Sequence, residues 1–256
     1  MSHPTIKTPA EIEIMRQAGQ IVARGLKLLQ ERVRPGISTA ELDAVYEKHV
    51  LDSGARPTFK GYRGFPASIC ASVNEEVVHG IPSPDRVLKE GDIISIDAGA
   101  TYRGYVGDAA VTVGVGRISE KAQRLIEVTR QCLEEAIRVV APGAGLSKIA
   151  RAVQTYAEAR GYGVVREYVG HGIGTSMHEP PQVPNYVIEP LDSFEYILKP
   201  GIVIAIEPMV NEGTRKVHTL KDNWTVVTND KKLSAHFEHT VAVTKDGHEV
   251  LTRLAP

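Results

Sequence analysis

Two stretches of this 256-residue chain are near copies of each other, and each carries an acid at the same place. Residues 89–97 read Lys-Glu-Gly-Asp-Ile-Ile-Ser-Ile-Asp and residues 199–207 read Lys-Pro-Gly-Ile-Val-Ile-Ala-Ile-Glu, so an offset of 110 sets Asp97 on Glu207. A second echo lies upstream. Pro35-Gly36 matches Pro142-Gly143, Leu42 matches Ile149 and Gly54 matches Gly161, all at an offset of 107. Two nearly equal offsets imply one duplicated unit. Such a unit, with an acid at the end of the same strand in each copy, builds a two-sided carboxylate site, the natural way to hold two metal ions.

The order of elements supports the duplication. Apolar residues at Ile14, Ala18, Ile21, Val22, Leu28 and Leu29 predict a helix over residues 11–34, stopped by Pro35-Gly36. Ser38 or Thr39 caps a second helix with Leu42, Val45 and Val50 inward and Gly54 at its end. A strand lies within residues 69–78. Strands at 92–97 and 106–115 form a hairpin across the Gly99–Gly104 turn. Ser119 starts a helix to about Val140, and the cycle repeats: Pro142-Gly143, a helix near 147–160, Gly161, then strands from Ile202 to Leu251. Helix pairs followed by antiparallel strands indicate an α+β fold and not a doubly wound parallel sheet. No linker rich in Gly, Pro or Ser divides the chain. One catalytic domain, 1–256, with halves at roughly 35–125 and 142–251, is expected, its acids at the seam.

Bulk properties exclude more than they assign. A net charge of −1 gives no basic excess for nucleic acid or a membrane surface. No apolar run is long enough to span a bilayer, and the first ten residues lack a signal-peptide core. Cys70 and Cys132 are the only cysteines. That usage fits a reducing cytoplasm better than a secreted, stapled domain.

The chemistry gathers on acids. An isolated Asp97 before Ala98-Gly99 would read as a turn residue. Asp108 heads the opposite arm of the same hairpin, and two facing acids among small and apolar residues repel unless a cation sits between them. Glu207 and Glu238 repeat the pattern. Asp108 and Glu238 share the spacing acid, two residues, Val-x-Val, which pairs them at an offset of 130. A purely structural role for four such acids needs buried arginine partners, and none is nearby in sequence. His171, between Gly170 and Gly172, is a candidate fifth ligand. One imidazole among four carboxylates is a mostly hard site, suited to Mn, Fe(II) or Co rather than to a thiolate-type structural zinc. His79 and His178 have the context to donate hydrogen bonds to a substrate or an oxyanion. His3, His49, His218, His236, His239 and His248 have no such context and are expected to be structural or solvent-facing. Other motifs fail: there is no His-Glu-x-x-His, Cys-x-x-Cys, Gly-x-Ser-x-Gly or Walker loop.

In order and spacing, Asp97, Asp108, His171, Glu207 and Glu238 resemble the ligand set of the type I methionine aminopeptidases. Residues 78–82, 95–99, 170–174, 205–209 and 237–241 each resemble the family's motif segments, and the resemblance covers nearly the whole chain. It implies the pita-bread fold, an α+β architecture of two pseudo-symmetric halves around a shared antiparallel sheet. It also implies removal of N-terminal methionine from nascent proteins before a small second residue, by attack of water activated at two metal ions. Asp108 and Glu238 would bridge the ions, with Asp97 completing one site and His171 and Glu207 the other. Glu207 would be the general base, His178 would stabilise the oxyanion and His79 would contact the substrate nitrogen. The implied substrate pocket is Phe59, Tyr62, Phe65, Cys70, Met177 and Trp224 with His79 and His178. Met177 stands where the family often has an aromatic, and Phe59 where a cysteine occurs. The implied ions are Co, Mn, Fe(II), Zn or Ni, with a monovalent cation near Asn74 and Ser234. The expected partners are peptides and nascent chains beginning with Met. Ribosome contact is compatible with that role, a monomer is expected, and no membrane or direct nucleic-acid role is implied. Length and the close spacing of Glu207 and Glu238 separate the chain from type II enzymes, which carry a helical insertion there. Prolidases and aminopeptidase P resemble the same catalytic half but usually carry an additional N-terminal domain. A creatinase-like hydrolase and a non-catalytic binding protein on the same fold are the remaining alternatives.

Overall fold

Helix starts follow local capping chemistry. The computed structural model describes residues 4–189 and 195–254. Helix α1 (Pro9–Gln30) opens with Thr8 as N-cap, Glu11 closing a reciprocal capping box and Pro9 in the first turn. Helix α2 (Thr39–Asp52) repeats the device with Ser38 and Glu41. Helices α3 (Glu120–Arg138) and α4 (Leu146–Glu158) follow in the second half, α3 capped by Ser119. Helix α1 ends earlier than its apolar periodicity suggests, because Arg32 N–H and Val33 N–H both turn back to the Leu29 carbonyl.

The strands are short except at the seam. In chain order they are β1 (Arg56–Pro57), β2 (Ile69–Val73), β3 (Glu76–Val78), β4 (Ile93–Tyr102), β5 (Tyr105–Gly114), β6 (Gly163–Val164), β7 (Gly170–Gly172) and β8 (Glu179–Val183). Then come β9 (Val203–Ile206), β10 (Met209–Asn211), β11 (Val217–Thr219), β12 (Val226–Thr228), β13 (Ser234–His236), β14 (Glu238–Val243) and β15 (His248–Val250). The central sheet runs β1-β4-β5-β14-β9-β7-β8, with β2 also on β4 and β15 on β14. Its pairings are antiparallel. Two small sheets, β13-β10-β6 and β11-β12-β3, flank it.

Strand β4 is longer than expected. It continues through Gly99 to Tyr102, so Asp97 lies mid-strand instead of at its end. The hairpin turns at Arg103-Gly104, with φ of +47° and +84°. Both central residues in the left-handed region match the twist of the flanking strands. Gly99 is therefore no turn residue. It is a point of close packing, where a Cβ would lie 2.8 Å from the Phe59 ring.

The halves match in three dimensions. Ser38 bridges Val87 in the first and Gly145 bridges Ile197 in the second. Gly36 N–H donates to Leu88 O and Gly143 N–H to Leu198 O, each at 2.9 Å. Helices α1 and α2 pack Val22, Leu26, Leu42 and Tyr46 on Ile94, Ile96 and Ala98 of β4. Helices α3 and α4 pack Leu125, Leu133, Ile149 and Val153 on Ile204, Ile206 and Val241. Both pairs cover the same side of the sheet and leave the other side free for chemistry. No helix among the described residues is long and apolar enough to cross a membrane.

Contact of α1 with the sheet depends on missing side chains. A Cβ on Gly107 of β5 would sit 2.7 Å from the Gly19 nitrogen. Because the obstacle is backbone, Gly107→Ala must push α1 away from the sheet. It is expected to lower unfolding stability by about 1–3 kcal/mol, read as an earlier urea midpoint with an unchanged slope.

Candidate metal centre and its cavity

Strand register puts the five proposed ligands on one face. Asp97 of β4 lies opposite Ala110 of β5, and Ala110 lies opposite Glu238 of β14. Residues in register share a face, so both acids point the same way as Ala110 and as Asp108, two residues along. His239 pairs with Ile206, and one step further sets Glu207 across from Glu238. His171 of β7 pairs with Ala205 of β9, the same side as Glu207. The strand neighbour of Glu238 is thus Ala110, two residues from Asp108. That spacing preserves the face, and the small Ala110 leaves room between Asp97 and Glu238.

The electrostatics of this cluster are extreme. Among the described residues, no lysine or arginine is in ion-pair contact with any of the four acids; Glu207 alone has cationic-type neighbours, His171 Nε2 at 3.6 Å and His236 Nε2 at 4.0 Å. Burial pushes the Asp97 carboxyl up to about 7. Burial, then the charges of Asp97 and Glu207, pushes Asp108 well above the usual carboxylate range. Glu207 and Glu238 move the same way, first by burial and then by neighbouring acids. His171 is pushed down to about 3, chiefly by burial.

The donor set fits a cation. Asp97 Oδ1, Asp108 Oδ1 and Glu238 Oε1 are buried and have no hydrogen-bond partner. Such orphaned oxygens are costly unless a positive group completes them. Donor atoms of Asp108, His171 and Glu238 lie within 4.8 Å of one another. His171 Nδ1 is 2.9 Å from the Gly172 carbonyl oxygen, which can only accept. The proton is therefore on Nδ1 and Nε2 is bare, the arrangement of a metal-binding histidine held by its backbone.

Beyond the acids lies a cavity of about 260 Å³. Phe59, Phe65 and Cys70 form an apolar wall with Met177 and Trp224, and Ala67 and Ile81 pack with them. Trp224 meets Phe65 edge-on at 5.1 Å. His79 enters from a left-handed backbone, φ +61°, and its ring faces Tyr168 at 5.5 Å. His178 lies with its ring centre 4.2 Å from that of His171, and its Nδ1 is 2.8 Å from the Tyr62 hydroxyl. Burial lowers both His79 and His178 to about 4, so both are neutral near pH 7. The sequence-predicted site residues therefore converge on one cavity. Asn74 and Ser234 meet at its periphery: Ser234 N–H donates to the Asn74 carbonyl at 2.9 Å. The Asn74 amide is engaged with Asp92 and the Ile93 N–H.

Five lining residues lie outside the sequence-predicted set: Arg63, Val78, Tyr168, Val169 and His236. His236 was expected to be structural or solvent-facing; it is 1% exposed and lines the cavity, both ring nitrogens without a hydrogen-bond partner. Its position two residues before Glu238 was the available signal, since a period of two keeps a side chain on one face. Tyr168 lines the cavity and carried no sequence signal. His239, His49 and His248 bond Thr252, Ile21 O and Val140 O as structural histidines do, and His218 bonds Asn229. His3 lies outside the described residues.

A pseudo-twofold sheet presenting His171 and four buried or partly buried acids to a cavity that three further histidines line defines a metal-dependent hydrolase. The sequence matches the model of Metallopeptidase family M24 over residues 13–245, and the chain belongs to that family. It is 55% identical to methionine aminopeptidase 1 of Bacillus subtilis over 97% of this chain and 98% of that protein. The solved methionine aminopeptidase of Thermotoga maritima superposes with a TM-score of 0.95 at 44% identity, covering 98% of this chain and all of that one. The Xaa-Pro dipeptidase of Bacillus anthracis shares the fold at a TM-score of 0.77 and 25% identity, with this chain covering 62% of it.

Metal removal should expose the electrostatic conflict as a pH dependence. A carboxyl raised on folding stabilises the metal-free protein below its unfolded value, and that contribution is lost as pH rises through its folded value, about 7 for Asp97. The buried histidines have the opposite sign, but their contribution is complete above about pH 6.5. Metal-stripped protein should therefore melt at lower temperature at about pH 8.5 than at about pH 7. Added Mn or Co should remove most of that difference, as scanning calorimetry would show.

Proposed function

We propose that this chain is a metal-dependent methionine aminopeptidase. It removes the first residue from peptides and nascent proteins beginning with Met, before a small second residue. The observation that carries the reading is a hard donor cluster, with orphaned buried oxygens, at the floor of a cavity walled by aromatics and sulfur. Asp97, Asp108, His171, Glu207 and Glu238 would hold two divalent ions. Mn, Fe(II), Co, Zn and Ni are all compatible with such donors. When bound, the ions supply Lewis acidity and lower the pKa of water.

The protein's own groups do the rest. Glu207, at the rim of the donor cluster, accepts the proton of the attacking water. With the Tyr62 hydroxyl donating to Nδ1, neutral His178 keeps its proton on Nε2 and donates it as a hydrogen bond to the substrate carbonyl oxygen. His79 contacts the substrate nitrogen. Phe59, Phe65, Cys70, Met177 and Trp224 take the methionine side chain, whose thioether gains modestly from aromatic edges and sulfur neighbours. Tyr62 closes the rim. Asn74 and Ser234 would lie beside a monovalent cation. The chain works as a single catalytic domain, 1–256, with halves at roughly 35–125 and 142–251. It acts as a monomer, in the cytoplasm and in contact with the ribosome. Its two free, buried cysteines agree with a reducing compartment.

Likeness to a proline-specific dipeptidase makes substrate choice the test. Metal-stripped protein is assayed on Met-Ala-Ser, Met-Lys-Ser, Leu-Ala-Ser and Ala-Pro-Ala with each ion returned in turn. Release of Met from Met-Ala-Ser alone is expected, and preference for Ala-Pro-Ala would move the protein to the proline-specific branch. Glu207→Gln is expected to lower kcat at least about 10²-fold while far-ultraviolet circular dichroism stays unchanged. Near-normal turnover in that variant with full metal content would remove Glu207 from the mechanism.

A further inference from the structure

The segment before α1 is bonded to Glu179, the residue after the cavity-lining pair Met177 and His178. Lys7 is 6% exposed, an unusual position for a lysine. Its ammonium donates to Glu179 Oε2 at 2.7 Å, to Thr5 Oγ1 at 2.5 Å and to Thr5 O at 3.4 Å, which uses all three of its protons. Thr5 Oγ1–H in turn donates to Glu179 Oε2 at 2.6 Å. Lys7 N–H donates to Gly201 O at 2.7 Å, at the turn that leads into β9 and Glu207.

Glu179 passes this anchorage to the site. Its other oxygen, Oε1, accepts from Ser176 N–H at 3.1 Å and so closes the short loop holding Met177 and His178. Glu179 also pairs with Gly172 across β7 and β8, next to His171. Packing leaves no slack, because a Cβ on Gly174 would lie 2.6 Å from Lys7 Cε and 2.5 Å from Glu179 Oε1. The ion pair thus holds one end of the loop, and nothing in the mechanism above uses Lys7, Thr5 or Glu179.

We infer that Lys7 and Glu179 are positioning residues: their buried contact, supplied by the N-terminal segment, sets the loop that aims His178 at the substrate carbonyl. The inference rests on the role given to His178 above. A group that donates one hydrogen bond in the transition state tolerates little displacement, and small misplacements cost large factors in rate. The loss should therefore appear in kcat and act through His178.

The test is a double-mutant cycle on metal-loaded, full-length protein with Met-Ala-Ser as substrate. Lys7→Met is expected to lower kcat about tenfold with KM within about twofold. In a His178→Asn background the same change should lower kcat less than about twofold further, since the group it positions is gone. Thr5→Val removes the hydroxyl between Lys7 and Glu179 without stranding a charge, so it reads the same contact should Lys7→Met fail to fold. Its expected loss is about two- to threefold, again absent beside His178→Asn. Equal losses in both backgrounds, or wild-type kcat in the single variants, would overturn the positioning role and leave the function intact. A fully active His178→Asn protein would instead overturn the role of His178, and this inference with it.

Discussion

Four carboxylates on one face of a sheet, Asp108 and Glu238 buried and Asp97 and Glu207 partly so, with no lysine or arginine paired to them among the described residues, are the constraint around which this structure is arranged. Burial raises the proton affinity of all four, and neighbouring acids raise that of Asp108, Glu207 and Glu238 further. Hydrogen bonds do not relieve it, because one oxygen on each of Asp97, Asp108 and Glu238 has no partner. A divalent cation answers both problems, by neutralising charge and by filling the oxygens' lone pairs. The surrounding fold is rigid where this demands it: long hairpin strands carry Asp97 and Asp108, and helices back the opposite face.

Duplication explains how such a cluster can be assembled. Each half supplies a helix pair, a glycine turn near 36 or 143, and a strand that carries an acid to the seam. The correspondence is not perfect. His171 has no counterpart in the first half. That departure keeps the donors on one face while making their surroundings unequal. The half with His171 also receives His178, through the loop that Glu179 and the N-terminal segment hold. Asymmetry laid on a symmetric frame places the groups proposed for water activation and carbonyl recognition side by side.

Much of this was legible without coordinates. The helix pairs, the hairpin and the five ligands follow from apolar periodicity, capping residues and acids at repeated places. Two boundary errors have physical causes. Helix α1 stops at Gln30 because its last carbonyls are claimed by a tightened turn, and β4 runs past Gly99 because that glycine serves packing and not chain reversal. His236 was misjudged because a histidine before a Phe-Glu step carries no chemical signal by itself. Only pleat parity with Glu238 places it in the cavity.

The sequence by itself determined the duplicated unit, its alternation of helices and strands, and which acids and which histidine could bind metal, because these are matters of residue type and spacing. Tertiary structure decided what those residues do to one another. Register set Asp97 and Glu238 on either side of Ala110, burial turned ordinary carboxylates into groups that need a cation, and packing brought Lys7 to Glu179 across more than half the chain. Such contacts join residues far apart in sequence, and their energies depend on distance and dielectric, which no local pattern records.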